Sequence, residues 1–142
     1  MDHLSPQRRS ENMRRIRSTN TTPEIVVRRI LHRAGFRFRL HSKNLPGCPD
    51  IVLMRHKIAV FVHGCFWHGH KCKDGRRPKS NRPYWNKKLD RNITRDRVST
   101  SMLKRMDWKR IVIWACEVKN VVALETRLER LLKNCKRERK WQ

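Results

Sequence analysis

Residues 50–62, DIVLMRHKIAVFV, decide the fold of this chain. Two continuous apolar runs, DIVLM (residues 50–54) and IAVFV (residues 58–62), are typical of strands that are buried on both faces of a sheet. The connection between them, Arg55-His56-Lys57, is so short that it favours an antiparallel hairpin. We therefore expect the centre of a β-sheet here.

The sequence before the hairpin predicts a helix and a further strand. Thr22 is the expected N-cap of the helix, Pro23 suits its first position, and Gly35 ends it. FRFRL (residues 36–40) then alternates apolar and basic side chains, which is typical of a strand with one buried face. The hairpin therefore gains a neighbouring strand.

The sequence after the hairpin predicts a parallel crossover. A long helical pattern runs from about residue 83 to 106, and RIVIWAC (residues 110–116) is another interior strand. A helix between two strands favours a parallel connection from residues 58–62 to residues 110–116. With a last helix near the C-terminus, the chain is predicted to be an α/β domain, a mixed β-sheet flanked by helices.

The charge balance indicates a polyanionic partner. The 142 residues include 36 Lys and Arg against 12 Asp and Glu, a formal net charge of +24. Such an excess attracts nucleic acid, because each phosphate that is neutralised releases counterions; the alternative is a merely solubilising surface. We expect one folded domain at residues 21–135, a basic N-terminal arm or helix at 1–20 that closes on the ligand, and a basic tail at 136–142.

The sequence also predicts a cellular location. The N-terminus lacks an apolar signal segment, and there is no apolar run of about 18 residues that could span a membrane. A cytoplasmic protein without membrane contact is expected. In that reducing compartment the five cysteines are better explained by metal ligation or burial than by disulfides.

The segment HGCFWHGHKC (residues 63–72) is predicted to be organised by a metal ion. Cys65, His70 and Cys72 can converge from one irregular loop, and Cys116, at the end of the strand RIVIWAC, is the candidate fourth ligand. A closed set of cysteine and histidine ligands is typical of structural zinc. His63 and His68 compete with His70 as ligands, and the bland alternative is a set of unrelated thiols with a core histidine.

Three carboxylates occupy positions that call for partners. Asp50 opens a buried strand, where it could hold a hard cation such as Mg²⁺. Glu24 shares the apolar face of the first helix, although an acidic side chain in a first helical turn also stabilises the helix dipole. Asp96 lies on the apolar face of the long helix, either for a function or for a structural ion pair with Arg95 or Arg97.

Together these groups fit the hydrolysis of a phosphodiester. The reaction needs a cation at the scissile phosphate and a base for the attacking water. Asp50 would bind the cation, and His68, if it does not bind zinc, would be the base. Asp96 would orient the His68 ring, and His63 would serve the phosphate or the metal-bound waters.

Aromatic side chains interrupt the metal-binding loop. Phe66 and Trp67 lie between the first cysteine and His68, and Trp85 begins the long helix after a basic loop. Apolar wedges of this kind can enter a DNA duplex between base steps. The alternative, particularly for Trp67, is a small apolar core under the zinc loop.

Read together, these segments resemble the very short patch repair (Vsr) family of DNA mismatch endonucleases, over roughly residues 10–132. The resemblance rests on SENMRRIRSTNTTPE, LPGCPDIV, FVHGCFWHGHKC, YW followed by NITRDR, and WACE. It implies a restriction-endonuclease-like core and Mg²⁺-dependent nicking of double-stranded DNA. The nick would fall 5′ of the thymine in a T:G mismatch left by deamination of 5-methylcytosine.

The resemblance also implies roles for individual residues. Asp50 and the main-chain carbonyl of Val62 would bind Mg²⁺, His68 would activate water, and Asp96 would orient His68. Glu24 and His63 would assist at the phosphate or at metal-bound water, and zinc would be bound by Cys65, His70, Cys72 and Cys116. Phe66, Trp67 and Trp85 would wedge into the duplex from the major-groove side. Met13 and Ile16 would approach from the other groove.

This chain departs from the family pattern in ways that leave the chemistry intact. Val62 stands where threonine is familiar, and Gly69 and Lys71 replace positions often occupied by histidine. The basic residues at 73–82 leave the sequence context of the mismatch open. A monomer associated with the bacterial nucleoid is expected, with mismatch-repair proteins as candidate partners. The alternatives are a non-catalytic zinc-containing nucleic-acid-binding protein and a related nuclease with another DNA target.

Overall fold

A computed structural model describes residues 20–135 of the chain. Apart from Asn20, the predicted N-terminal arm with Met13 and Ile16 lies outside the described residues, as does the predicted tail at 136–142. The order of elements agrees with the prediction of helix, three strands, helix, strand and helix. The elements are α1 (Thr22–Arg33), β1 (Arg39–Leu40), β2 (Ile51–Leu53), β3 (Ile58–His63), α2 (Arg82–Arg105), β4 (Lys109–Trp114) and α3 (Val121–Leu131).

The four strands form one mixed sheet in the order β1-β2-β3-β4. β2 and β3 are the predicted antiparallel hairpin, with Ile51 paired to Val60. Lys57 closes it with a φ of 53° after a 3₁₀ turn at Met54–His56. β4 lies parallel to β3, in a register that pairs His63 with Trp114. Both the hairpin and the crossover through α2 are therefore confirmed.

Helices cover both faces of the sheet. In β3, Ile58 and Val60 point into an apolar cluster with α1 and α3, whereas Ala59 and Phe61 point toward Leu103 of α2. This alternation explains why the apolar runs are continuous, since neither face meets solvent. The site-bearing end of β3 is thus held from both sides by packed side chains.

Two element boundaries differ from the prediction at the first helix. Thr21, not Thr22, is the N-cap of α1, and its hydroxyl accepts the Glu24 N–H at 3.4 Å. The strand predicted at residues 36–40 contains only Arg39 and Leu40. The Phe36 N–H instead donates to the Leu31 carbonyl, closing the C-terminus of α1, and the Phe36 ring is buried in the core.

The last predicted strand also ends early. β4 stops at Trp114, so Cys116 lies in a 3₁₀ turn at Ala115–Lys119 rather than on the strand. The Glu117 carboxylate accepts the Trp114 N–H at 2.7 Å and is held in turn by Arg127. This cap diverts the chain from the sheet and sends it toward the loop that follows β3. No helix within residues 20–135 is long and apolar enough to cross a membrane.

Candidate functional site

The candidate site lies at one end of the sheet, where β3 ends and β2 begins. Asp50 directly precedes β2, and its Oδ2 accepts the Val62 N–H at 2.7 Å. The next residue, His63, is the last of β3, and the loop at residues 64–72 follows. Asp50 is therefore bonded to Val62, and the loop starts directly after the neighbouring residue, His63.

Four sulfur and nitrogen ligands converge from this loop and from the turn after β4. One ligand atom from each of Cys65, His70, Cys72 and Cys116 lies within 4.8 Å of the other three. The Cys116 Sγ is 3.6 Å from His70 Nδ1. Three thiols and an imidazole form a donor set that suits a tetrahedral soft cation. Among the loop histidines, His70 joins the cysteines.

The electrostatics of the thiols also fit a cation. Burial raises the pKa of Cys65 to about 12, so the thiol stays protonated without a positive charge beside it. A bound cation reverses this preference, because it stabilises thiolate directly. The cluster therefore has the ligands of a metal centre, and a cation bound there would have to drive deprotonation of the Cys65 thiol.

Two glycines shape the loop around this cluster. Gly69 has a φ of 68°, and a Cβ there would lie 2.8 Å from Ile93 of α2. A Cβ on Gly75 would lie 1.9 Å from the His70 carbonyl oxygen. The loop can pack closely on α2 and on itself because both positions lack a side chain. The departure at Gly69 from the histidine-rich family pattern thus has a structural account.

His63, at the end of β3, and His68 of the loop form a separate group with α2. The rings of His63 and His68 stack at 3.7 Å between centroids, with 6° between their planes. His68 Nδ1 lies 2.7 Å from Asp96 Oδ2. The alternative partners proposed for Asp96, Arg95 and Arg97, do not form this contact; the partner is His68.

Burial lowers the pKa of His63 below that of an exposed histidine. The His63 side chain is almost fully buried, and desolvation, with the nearby His68 and Arg110, lowers its pKa to about 3. His63 is therefore neutral at physiological pH. It lines an open cleft of about 660 Å³ together with His68, Asp96, Arg97 and Arg110. Such a cleft combines neutral imidazole, a carboxylate and guanidinium groups, which suits a phosphate ligand.

Asp50 and Glu24, whose carboxylates were expected to have partners, lie together in a third group, which also contains His41. Glu24 is only 2% exposed, and its Oε2 contacts Arg28 Nη2 at 2.7 Å and His41 Nε2 at 2.9 Å. Desolvation, opposed by the Val62 N–H and reinforced by the charge of Glu24, raises the pKa of Asp50 to about 6. Two crowded carboxylates with a nearby imidazole form a donor set that a divalent cation would relieve.

Sequence reasoning missed His41 and Arg28. Their signal was the sheet register: Leu40 pairs with Ile51, so His41 lies opposite Asp50 and its N–H donates to the Asp50 carbonyl at 3.1 Å. Arg28 is one helical turn after Glu24 and reaches the same carboxylate. Glu24 also lies in the first turn of α1, where the helix-dipole alternative placed it, and it accepts the Asn20 N–H at 3.1 Å.

The aromatic residues expected to face a ligand form one cluster. Ring centroids of Phe66 lie 5.0 Å from Trp67 and 5.3 Å from Trp85, and Lys88 Nζ lies 5.2 Å from the Trp67 ring. Phe66, Trp67 and Trp85 are each half-buried. The three rings thus pack against one another, as expected for a small apolar core under the loop, and they also keep part of their apolar surface exposed.

Trp114 joins two of these groups. Its ring stacks on His70 at 4.1 Å and meets His63 edge-on at 5.3 Å. The ring is half-buried between the cysteine cluster and the histidine pair. A fixed aromatic spacer of this kind links the position of the loop to the position of the cleft.

Comparisons with known proteins agree with the resemblance. A family model described as "DNA mismatch endonuclease Vsr" matches residues 1–74. The type II nicking enzyme V.XorIIP of Xanthomonas oryzae pv. oryzae is 49% identical over 131 residues, which cover 92% of this chain and 96% of that protein. The DNA mismatch endonuclease Vsr of Escherichia coli K12 is 35% identical over 111 residues, which cover 78% of this chain and 71% of that protein.

The contact between His68 and Asp96 predicts a tautomer. A carboxylate only accepts hydrogen bonds, so neutral His68 carries its proton on Nδ1 and leaves Nε2 free as a base. Nitrogen-detected NMR of the His68 ring should show the Nδ1–H form, and Asp96→Asn should shift the ring toward the Nε2–H form. Asp90→Asn, on the same helix but paired with Arg77, is the control. An Nε2–H tautomer in the unaltered protein would contradict this geometry.

Proposed function

The chain belongs to the Vsr family of DNA mismatch endonucleases, and on that premise we propose that it nicks duplex DNA 5′ of the thymine in a T:G mismatch. Such mismatches arise by deamination of 5-methylcytosine, and the nick would begin very short patch repair. The observation that carries the proposal is the adjacency of two groups: the Asp50 carboxylate hydrogen-bonds to Val62, and the next residue, His63, stacks on His68. We also propose a restriction-endonuclease-like core.

His68 is proposed to be the general base. Its Nδ1–H donates to Asp96, so its Nε2 lone pair can take the proton of an attacking water. The Asp96 carboxylate then stabilises the imidazolium that forms, as in other histidine and carboxylate pairs. His63, buried and neutral, holds the His68 ring by stacking and is proposed to face the phosphate.

The carboxylate group is proposed to hold Mg²⁺. Asp50 and the Val62 main-chain carbonyl would be ligands, with Glu24 next to them. Mg²⁺ bound there supplies Lewis-acid stabilisation of the charge that develops on the scissile phosphate. Arg28 holds Glu24 in place, and the Val62 N–H holds one oxygen of Asp50. One carboxylate oxygen of Glu24 and one of Asp50 lie within 4.8 Å of each other.

Zinc is the proposed occupant of the cysteine cluster. Three cysteines and one histidine match a closed structural site, and no open position is needed for chemistry. The loop has little apolar core of its own, so the ion would order it. Zinc would thereby hold His63 and His68, which lie on either side of Cys65.

The aromatic cluster is proposed to enter the duplex at the mismatch. Unstacking a base step costs a few kcal/mol, and a mispaired step costs less than a paired one. Phe66, Trp67 and Trp85 would wedge from the major-groove side, with Met13 and Ile16 approaching from the other groove. The basic surface supplies sequence-independent affinity for phosphates. We propose that the protein acts as a monomer on double-stranded DNA, with mismatch-repair proteins as candidate partners.

A nicking assay tests the proposal. A labelled duplex with one T:G pair should be cut in the thymine strand in the presence of Mg²⁺. Asp50→Ala should lower the rate at least ~10³-fold, because cation stabilisation of several kcal/mol is lost. Asp107→Asn, a change at an exposed turn with a φ of 61° that Asn tolerates, is the matched control and should leave the rate unchanged.

The outcomes separate the alternatives. Tight, salt-sensitive binding without any strand scission would indicate a non-catalytic nucleic-acid-binding protein. Equal cutting of T:G, fully paired and other mismatched duplexes would indicate a nuclease with another target. An undiminished nick in Asp50→Ala would contradict the assignment of the metal-binding carboxylate.

A second prediction concerns the cysteine cluster. The purified protein should contain about one tightly bound zinc ion per chain, as measured by inductively coupled plasma mass spectrometry. Cys116→Ser should lower both the zinc content and the melting temperature. Cys135→Ser, a cysteine packed against the apolar core, should keep its zinc. Full zinc content in Cys116→Ser would overturn the proposed ligand set.

A further inference from the structure

His41 occupies a fixed position beside the carboxylates of the proposed Mg²⁺ site. It directly follows β1, and its N–H donates to the main-chain carbonyl of Asp50 at 3.1 Å. Its φ of 47° turns the chain at the end of the strand. The backbone that carries the imidazole is therefore anchored to the sheet.

The side-chain atoms of this group have the spacing of ligands that share one cation. One ligand atom from each of Glu24, His41 and Asp50 lies within 4.8 Å of the other two, and His41 Nε2 is 2.9 Å from Glu24 Oε2. Two adjacent ligands at about 2.1 Å from an octahedral ion lie about 3 Å apart. His41 Nε2 and Glu24 Oε2 thus already have this spacing. Arg28 Nη2 lies 2.7 Å from Glu24 Oε2 and 3.4 Å from His41 Nε2, so ligation requires the guanidinium to withdraw from the ring nitrogen.

The proton and charge balance also permits ligation. Without a cation, His41 Nε2 carries the proton that it donates to the acceptor-only Glu24 carboxylate. On ligation this proton leaves Nε2 and the neutral ring is protonated on Nδ1 instead, by exchange with solvent. Arg28, 2.7 Å from Glu24 Oε2, balances one of the two carboxylate charges. A divalent cation therefore meets a moderate negative charge and a neutral nitrogen donor.

We propose that Glu24 binds the divalent cation directly together with Asp50, that His41 is the third protein side-chain ligand, and that His41 makes this site prefer Mn²⁺ to Mg²⁺. Imidazole nitrogen is a poor ligand for Mg²⁺ and a better one for first-row transition metals. The inference rests on the proposed function for the presence of a cation at Asp50. It goes further by assigning a nitrogen ligand and a metal preference.

Mn²⁺ itself is the probe, because its unpaired electrons report on bound nitrogen. Electron spin echo modulation of Mn²⁺ added to the zinc-loaded protein should show coupling to ¹⁴N. Binding titrations should give an affinity for Mn²⁺ about 10-fold or more above that for Mg²⁺, as expected for replacement of an oxygen ligand by imidazole. His41→Gln should lose the nitrogen coupling and bring the two affinities close together.

Three variants make the assignment specific. His68→Gln should keep the nitrogen coupling, which separates His41 from the histidine pair near Asp96. His32→Gln, an exposed histidine on α1, should change neither measurement. His41→Asn is the second variant if His41→Gln does not fold, because Asn tolerates the left-handed backbone at this position.

Two results would overturn the inference: no nitrogen coupling in the unaltered protein, or coupling and metal preference that both survive removal of His41. Neither result depends on nicking. If nitrogen coupling is lost in His41→Gln while the unaltered protein cuts no mismatched duplex, His41 is a ligand and the proposed function fails. If the duplex is cut but the coupling is absent, the function stands and this inference fails.

Discussion

The parallel pairing of β3 with β4 is the constraint on which the rest of the site depends. Its register sets His63 beside Trp114, and two residues later Cys116 reaches the loop that begins at Gly64. The pairing requires the long crossover through α2, which brings Asp96 to His68. Because both faces of β3 are packed, the strand cannot slide without exposing buried apolar side chains.

From the end of this strand, ring contacts form a continuous path between the proposed structural and catalytic groups. His70 of the cysteine cluster stacks on Trp114, which meets His63 edge-on, and His63 stacks on His68. An ion that orders the cysteines would therefore act on the cleft through packed rings, although it takes no part in the proposed chemistry. This arrangement would allow one segment of ten residues, 63–72, to carry the groups proposed for metal binding, DNA contact and hydrolysis.

The sequence was most informative where the pattern was local or continuous. The apolar runs predicted the hairpin and the crossover, and the spacing of Cys65, His70 and Cys72 predicted a cluster that the structure brings together. It was least informative where a contact depends on long-range register. Because Phe36 closes α1, β1 has only two residues. The sequence pattern therefore did not predict that His41 lies opposite Asp50. The sequence pattern also did not predict that Glu117 caps the end of β4, which leaves Cys116 in the following turn instead of on the strand.

We propose that neighbouring histidines of one loop have separate tasks: His70 binds the metal and His68 activates the attacking water. The most direct measurement compares zinc content and T:G nicking in His68→Ala and His70→Ala. His68→Ala should keep its zinc but nick DNA about 10²-fold or more slowly, as expected for loss of a general base. His70→Ala should lose zinc. Loss of zinc in His68→Ala, or normal nicking by that variant, would contradict the account.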